Sequence, residues 1–138
     1  MSNLNLTLIS KSEPINKILR KAEKDIENIT NVKLKIEIKE LSSFWIIDKI
    51  CQLASEATGI EVRHIIGKSR NAEYVAVRQV VCYICYNDIG GITFKDLSLY
   101  FNNDHSTIIH SVNKVEDFLS INDDKTLNIY RRIKEQIF

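Results

Sequence analysis

The sequence predicts a mainly α-helical protein, with a helix-turn-helix domain over residues 41–138 and a small β-α-β appendage over residues 1–40. Two observations predict this division. From Ser42 onward, apolar residues recur at intervals of three and four, the spacing of one face of an α-helix. Before residue 40, two short segments alternate apolar with polar residues, which is typical of half-buried strands.

The N-terminal appendage is predicted from three consecutive patterns. Leu4, Leu6 and Leu8 alternate with polar residues, and residues 32–38 alternate apolar with charged side chains. Between these segments, Pro14 suits the first turn of a helix, and apolar residues follow at helical spacing: Ile15, Ile18, Leu19, Ala22, Ile26 and Ile29. A two-stranded unit buries little surface alone. We therefore expect the appendage to pack on the rest of the chain, or to form a homodimer through strand edges of residues 1–40.

Local signals delimit the helices of residues 41–138. Ser42 or Ser43 caps the first, and Gly59 suits a left-handed cap at its end. A short turn over residues 61–66 and a longer helix over about 73–87 follow, the latter with Val75, Gln79, Cys82, Tyr83 and Tyr86 along one side. Thr93 and Asp96 have the spacing of a capping box, and acidic residues at 123 and 124 suit the start of a last helix.

Two of these predicted helices, residues 94–100 and about 104–119, are separated by a tight polar turn, as in a helix-turn-helix. The second has an inward apolar face of Ile108, Val112, Val115 and Leu119. Its first residues are hydrogen-bonding groups that suit base edges in a major groove. Asp104 could accept from cytosine, His105 donate to guanine and Thr107 contact a thymine methyl. Lys114 could reach a phosphate.

The residues at the start of this helix carry a family resemblance. The helix begins with the segment Asp104-His105-Ser106-Thr107-Ile108-Ile109-His110, which is followed by Lys114-Val115-Glu116. These residues resemble the signature of the C-terminal domain of the bacterial replication initiator DnaA. Upstream segments also match that family in order, namely Ile65-Ile66-Gly67-Lys68-Ser69-Arg70, Arg78-Gln79 and Ile92-Thr93-Phe94-Lys95-Asp96-Leu97. The resemblance covers about residues 43–138.

The resemblance implies a Trp-repressor-like helix-turn-helix and a set of contacts to double-stranded DNA. Asp104, His105, Ser106 and Thr107 fall on the motif that reads bases in the major groove, and Arg70 on the loop arginine that enters the minor groove. The residues expected at the phosphate backbone are Lys68, Gln79, Thr93, Lys95, Asn113 and Lys114. The implied target is a short asymmetric site like a replication-origin box, bound in the cytoplasm at the nucleoid.

Departures from the family pattern concern charge and ATP. Between Gly59 and Leu119 there are six Lys and Arg against seven Asp and Glu, and the formal net charge of the 138 residues is +1. Fewer phosphate contacts weaken salt-dependent binding, so we expect weaker affinity than in the family. The sequence also lacks a Gly-x-x-x-x-Gly-Lys-Ser/Thr loop for ATP.

Other classes of function find little support in the sequence. Cys82-x-x-Cys85 lies within a predicted helix, without a second cysteine pair, so we expect buried structural thiols and no metal site. No nucleophile-base pair or carboxylate dyad predicts an enzyme, and we expect no cofactor. No apolar run is long enough to span a membrane.

One alternative stays open at this point. The near-neutral charge also fits a protein-interaction or regulatory module, derived from this domain, that has lost specific DNA binding. Besides DNA, the partners expected for the protein are a replication initiator or other replication proteins, and it would compete with, recruit or mimic an initiator.

Overall fold

The structure, a computed structural model, describes residues 13–33 and 42–138. These residues contain seven α-helices and no strand. The helices are α1 (Glu13–Thr30), α2 (Ser43–Thr58), α3 (Val62–Ile66), α4 (Ala72–Tyr83), α5 (Phe94–Phe101), α6 (His105–Ser120) and α7 (Asp124–Ile137), and a π-helical segment, Ile84–Ile89, continues α4. The prediction of a mainly α-helical domain with a helix-turn-helix is confirmed.

Side-chain caps begin several helices where the sequence predicts them. The Ser42 side chain accepts a hydrogen bond from the Trp45 amide at 3.2 Å, and Gly59 ends α2 in the left-handed region, with φ of 76°. At the last helix, Asp123 accepts from the Thr126 amide at 3.0 Å. These bonds satisfy backbone groups that a helix terminus leaves without intrahelical partners.

The core lies between α4 and α6, with α2 and α7 packed around them. The buried side of α4 and its π-helical continuation comprises Val77, Val80, Val81, Cys82, Ile84 and Cys85. Of the side named from the sequence, Cys82 is buried, whereas Val75, Gln79, Tyr83 and Tyr86 keep partial or full exposure. Apolar residues occur on almost every side of this segment, so periodicity alone does not select the side that packs.

The helix predicted within residues 1–40 is confirmed as α1. Ile18 and Leu19 are buried in the common core, and Lys21 forms an exposed ion pair with Glu56 of α2 at 2.6 Å. A pair of this kind stabilises the native state by about 1 kcal/mol at most. The helix therefore joins the main domain chiefly through its apolar contacts.

The strands predicted around α1 are not seen in the described residues. The first, at Leu4 to Leu8, and residues 34–38 of the second lie outside them. Val32 and Lys33 are described and are not in a strand. The chain leaves α1 at Asn31, which has a left-handed φ of 59°, and the Val32 amide donates to Thr30 Oγ1 at 3.3 Å. This local turn uses a backbone group that a strand would need for pairing.

Residues 13–33 and 42–138 hold neither a membrane-spanning helix nor a cluster of metal ligands. No helix there is long and apolar enough to cross a membrane. No group of three or more His, Cys, Asp and Glu side chains is placed there to hold a metal ion.

The three cysteines, Cys51, Cys82 and Cys85, are free and buried, as the sequence predicts. Burial raises the pKa of the Cys51 thiol from 9.0 to about 12, and it raises the pKa of Cys82 and Cys85 as well.

Since the thiolate is the reactive form, we expect an aromatic disulfide reagent at pH 8 to label all three thiols in guanidinium and almost none in the native protein. Rapid native labelling would contradict the packing.

The raised pKa values of the buried thiols make the free energy of unfolding depend on pH. Unfolded thiols ionise near pH 9, whereas the buried thiols stay protonated to higher pH. The unfolded chain therefore binds fewer protons above about pH 9, and native stability falls as the pH rises from there. Urea unfolding at pH 8 and pH 10 measures the decrease, and a Cys51→Ala variant, which lacks one of these groups, should show a smaller one.

Candidate nucleic-acid interface

The turn between α5 and α6 is closed by backbone and side-chain hydrogen bonds. Asn102 ends α5 in the left-handed region with φ of 52°, a conformation that Asn tolerates better than most residues. The amides of Asn102 and Asn103 both donate to the Ser98 carbonyl, the second at 3.1 Å, and the Ser98 hydroxyl donates to the Asn103 carbonyl. The turn therefore has a defined shape before any ligand binds.

Helix α5 is fixed at both ends. At its start, the Thr93 hydroxyl accepts from the Asp96 amide at 3.1 Å, and the Asp96 carboxylate accepts from the Thr93 amide at 2.9 Å, which confirms the predicted capping box. Near its end, the Tyr100 hydroxyl donates to Asp48 of α2 at 3.0 Å, and Phe101 is buried. These anchors set the direction in which the chain enters α6.

Helix α6 buries the predicted inward face. Ile108, Val112 and Val115 are at most 4% exposed, and Leu119 packs partly against the core. Ser111 is also buried on this side, and its hydroxyl donates to the Thr107 carbonyl at 2.9 Å. Because one side of α6 is held against the protein, the opposite side is the one that can meet a ligand.

All four residues predicted to read bases in the major groove lie at the exposed start of α6. Asp104 is the N-cap by position, but its side chain makes no capping hydrogen bond. His105, Ser106 and Thr107 form the first turn, and all are exposed. The first turn thus presents a carboxylate, an imidazole and two hydroxyls in consecutive positions, which together can donate to and accept from base edges.

Lys68, in the loop after α3, bonds to the helix-turn-helix itself. Its Nζ donates to the Phe101 carbonyl at 2.9 Å, the Asn102 carbonyl at 2.5 Å and Asn103 Oδ1 at 2.6 Å. The sequence predicts a phosphate contact for this lysine and does not indicate its bonds to the turn. No local signal reveals them, because the partners are 33 to 35 residues away in the chain.

Arg78 of α4 holds the other side of the same loop. Its guanidinium donates to the carbonyls of Ile65 at 2.6 Å, His64 at 2.9 Å and Ser69 at 3.3 Å. Burial lowers the pKa of this guanidinium from its ordinary value. Arg78 is therefore an internal anchor for the end of α3, a role that the sequence did not indicate.

Arg70 lies in the loop between these two anchors. It is exposed, and its neighbours shape the start of α4: Asn71 Oδ1 accepts from the Glu73 amide at 2.9 Å, and the Asn71 amide donates to Ser69 Oγ at 3.2 Å. Because Lys68 joins this loop to the turn before α6, the structure brings the Arg70 loop beside the exposed start of α6.

The residues predicted to hold phosphates are more dispersed. Thr93 and Lys95 lie at the start of α5, at its opposite end from the turn, and both are exposed. Gln79 is partly exposed on α4, and Asn113 is exposed further along α6. Lys114 is partly exposed, with its ammonium 5.7 Å from the centre of the Phe118 ring. The Thr93 hydroxyl already serves the capping box, so its remaining capacity toward a phosphate is as a donor.

Comparison with known proteins agrees with this architecture. Residues 47–115, half of the chain, match the model of a family described as the bacterial dnaA protein helix-turn-helix. The matched residues run from α2 through the turn to the middle of α6. No solved structure matches the chain.

Several curated relatives carry the name chromosomal replication initiator protein DnaA. DnaA 1 of Chlamydia trachomatis is 28% identical over 86 residues, which are 62% of this chain and 18% of the relative. DnaA 1 of Chlamydia pneumoniae is 31% identical over 74 residues, 54% of this chain and 16% of the relative. DnaA of Picosynechococcus is 29% identical over 90 residues, 65% of this chain and 20% of the relative.

This chain thus spans about a fifth of the length of the relatives it matches. The shared region is the one that forms the helix-turn-helix and the loop bonded to it. By this match and by its fold, the chain belongs to the bacterial DnaA helix-turn-helix family.

Proposed function

We propose that this protein binds double-stranded DNA with sequence selectivity, in a role related to recognition of a replication origin, and that it acts by binding and not as an enzyme. The observation that carries the proposal is the placement of the Arg70 loop beside the exposed first turn of α6, through Lys68. A helix start and a neighbouring basic loop can address a major groove and the adjacent minor groove together, as some helix-turn-helix proteins do with a helix and an arm. Family membership and the relatives' names support the same assignment.

In this proposal, the first turn of α6 enters the major groove. The Asp104 carboxylate, which makes no capping bond, accepts from a cytosine amino group, and His105 donates to a guanine. The Ser106 hydroxyl bonds to a base edge, and the Thr107 methyl contacts a thymine. Arg70 reaches the floor of the minor groove, where an arginine distinguishes groove width and A·T content.

In this proposal, contacts to the phosphate backbone hold α6 and Arg70 in these positions on the duplex. Lys95, Lys114, Gln79 and Asn113 have exposed or partly exposed polar groups on α4, α5 and α6. Thr93 can donate its hydroxyl to a phosphate at the start of α5, because the capping box uses the hydroxyl oxygen as an acceptor. Because the cations are few, we expect base contacts to contribute a larger share of the affinity than in more basic DNA-binding domains.

The first test is binding itself. We expect selection from a random duplex library to enrich one asymmetric motif, and fluorescence anisotropy to show tighter binding to that motif than to a scrambled duplex. The measurement is repeated at two salt concentrations because phosphate contacts depend on salt. No binding to any duplex at low salt would contradict the proposal, and equal binding to both duplexes would remove the selectivity.

A second prediction concerns the major-groove contacts. His105→Ala should weaken binding to the preferred duplex by about 5- to 150-fold, the range for losing one base-specific contact, and change binding to the scrambled duplex little. His110→Ala is the matched control, because His110 is also exposed on α6 but lies beyond its first turn. Equal losses in both variants would show that His105 does not read a base.

A third prediction concerns phosphate contacts. Lys95→Ala and Lys114→Ala should each weaken binding to all duplexes similarly and reduce the slope of log affinity against log salt by about 1. Lys125→Ala, an exposed lysine at the start of α7, serves as the control and should leave the slope unchanged. If the three variants behave alike, Lys95 and Lys114 are not phosphate contacts.

We also propose that residues 1–40 form a homodimer contact. Within the described part of this region, Ile29 is 84% exposed and Val32 is 50% exposed, so apolar surface is available at the end of α1. Light scattering at increasing concentration should detect a dimer, and Ile29→Lys should weaken it, whereas Ile121→Lys, at an exposed isoleucine after α6, should not. A wild-type protein that stays monomeric at high concentration would contradict this contact.

A further inference from the structure

We propose that Lys68 is a positioning residue that couples the two DNA-reading elements, and not a phosphate contact. Its ammonium fixes the Arg70 loop to the turn that begins α6. The inference rests on the proposed function and replaces the phosphate role that the sequence suggested for this residue. It assigns to one side chain the relative placement of the minor-groove and major-groove contacts.

The number of available protons supports this role. A lysine ammonium carries three N–H donors and no acceptor. In the structure it has three acceptors, namely the Phe101 carbonyl at 2.9 Å, the Asn102 carbonyl at 2.5 Å and Asn103 Oδ1 at 2.6 Å. All three donors are therefore used, and a phosphate could bind only by displacing a bond that the protein already makes.

The acceptors are groups that need a donor. Phe101 is the last residue of α5, and its carbonyl and that of Asn102 follow the final turn, where carbonyls lack an intrahelical partner. This end of a helix also carries partial negative charge, which favours a cation. Phe101 is only 2% exposed, so its carbonyl, to which Lys68 donates, cannot shift without disturbing the core.

The loop that carries Lys68 is anchored on its other side too. Arg78 binds the Ile65, His64 and Ser69 carbonyls on either side of Lys68. At Gly67, a Cβ would lie 2.7 Å from the Arg63 carbonyl oxygen. The backbone at the start of the loop is therefore too close to α3 to accommodate a larger residue at this position. Arg70, two positions beyond Lys68, is thus carried by a segment held to α3, α4 and the turn.

The consequence is preorganisation. If the loop and α6 move independently, each must be ordered separately when DNA binds, and the ordering reduces the affinity. With Lys68 in place, a protein that seats α6 in the major groove already has Arg70 beside the adjacent minor groove. Loss of Lys68 should therefore weaken the contribution of Arg70 specifically.

The test is a double-mutant cycle with Lys68→Met and Arg70→Ala on the selected duplex. For a positioning role, Arg70→Ala should weaken binding at least about twofold less in the Lys68→Met background than in the wild-type background, because coupled residues are not additive. The salt slope of Lys68→Met should equal that of the wild type. A slope reduced by about 1, with additive losses, would show a phosphate contact and overturn the proposal.

A readout without DNA separates this proposal from the proposed function. Amide hydrogen exchange by NMR should show faster exchange at Asn102 and Asn103 in Lys68→Met than in the wild type, whereas Lys95→Met should leave these amides unchanged. If the wild type binds no DNA but the turn loses protection in Lys68→Met, the proposed function fails and the coupling of loop and turn stands. Unchanged exchange in a folded Lys68→Met protein would overturn the coupling.

Two further variants guard against a folding defect. Asn103→Ala removes one acceptor and leaves the core untouched, and it should reproduce a smaller part of the Lys68→Met effect on exchange and on the cycle. Lys68→Arg should restore part of the turn's protection, because a guanidinium also donates to carbonyls, although its planar fork fits three convergent acceptors less well. The three-bond arrangement would be contradicted if Asn103→Ala left the exchange of the turn unchanged and Lys68→Arg exchanged as fast as Lys68→Met.

Discussion

The burial of one side of α6 against α4 is the constraint from which the rest of the candidate interface follows. Ile108, Val112 and Val115 are almost fully buried, and the buried side of α4 and its π-helical continuation supplies Val77, Val80, Val81 and Ile84. Burial of each large apolar side chain contributes about 1.5–3 kcal/mol, so rotating α6 to another face would be costly. This packing leaves the start of α6 and its outer side in solvent. It therefore exposes the four residues predicted to read bases, Asp104, His105, Ser106 and Thr107.

The five Lys and Arg side chains of residues 61–95 have three kinds of surroundings. Lys68 and Arg78 use their donors on backbone carbonyls and so shape the loop and the turn. Arg70 and Lys95 are exposed, while Arg63 pairs with Glu61 at 2.7 Å. A count of charges in the sequence therefore overstates what can meet a phosphate. In the proposed DNA complex, base contacts would therefore contribute more of the affinity than phosphate contacts.

Much of the helical architecture could be predicted because local rules determine it. Caps at Ser42, Thr93 and Asp123, and the left-handed Gly59, lie within a few residues of the groups they satisfy, so the sequence shows both partners at once. The inward side of α6 could also be predicted, since Ile108, Val112, Val115 and Leu119 share one face and, of the other apolar residues, Ile109 lies on the exposed side. The buried side of α4 could not, because valines, isoleucines and tyrosines surround that segment and only the packing of α6 selects among them.

The sequence by itself determined the helices, the turn and the family motif at the start of α6, since each depends on residues close together in the chain. Only the tertiary structure decided which cations bond to acceptors of the protein itself, because Lys68 and Arg78 find their partners 9 to 35 residues away. It also showed that Asp104 stands at an N-cap position without capping, and it corrected the strand expected at Val32 and Lys33. The physical reason is the same in each case: a polar group bonds to whichever partner packing brings near, and sequence spacing does not record that partner.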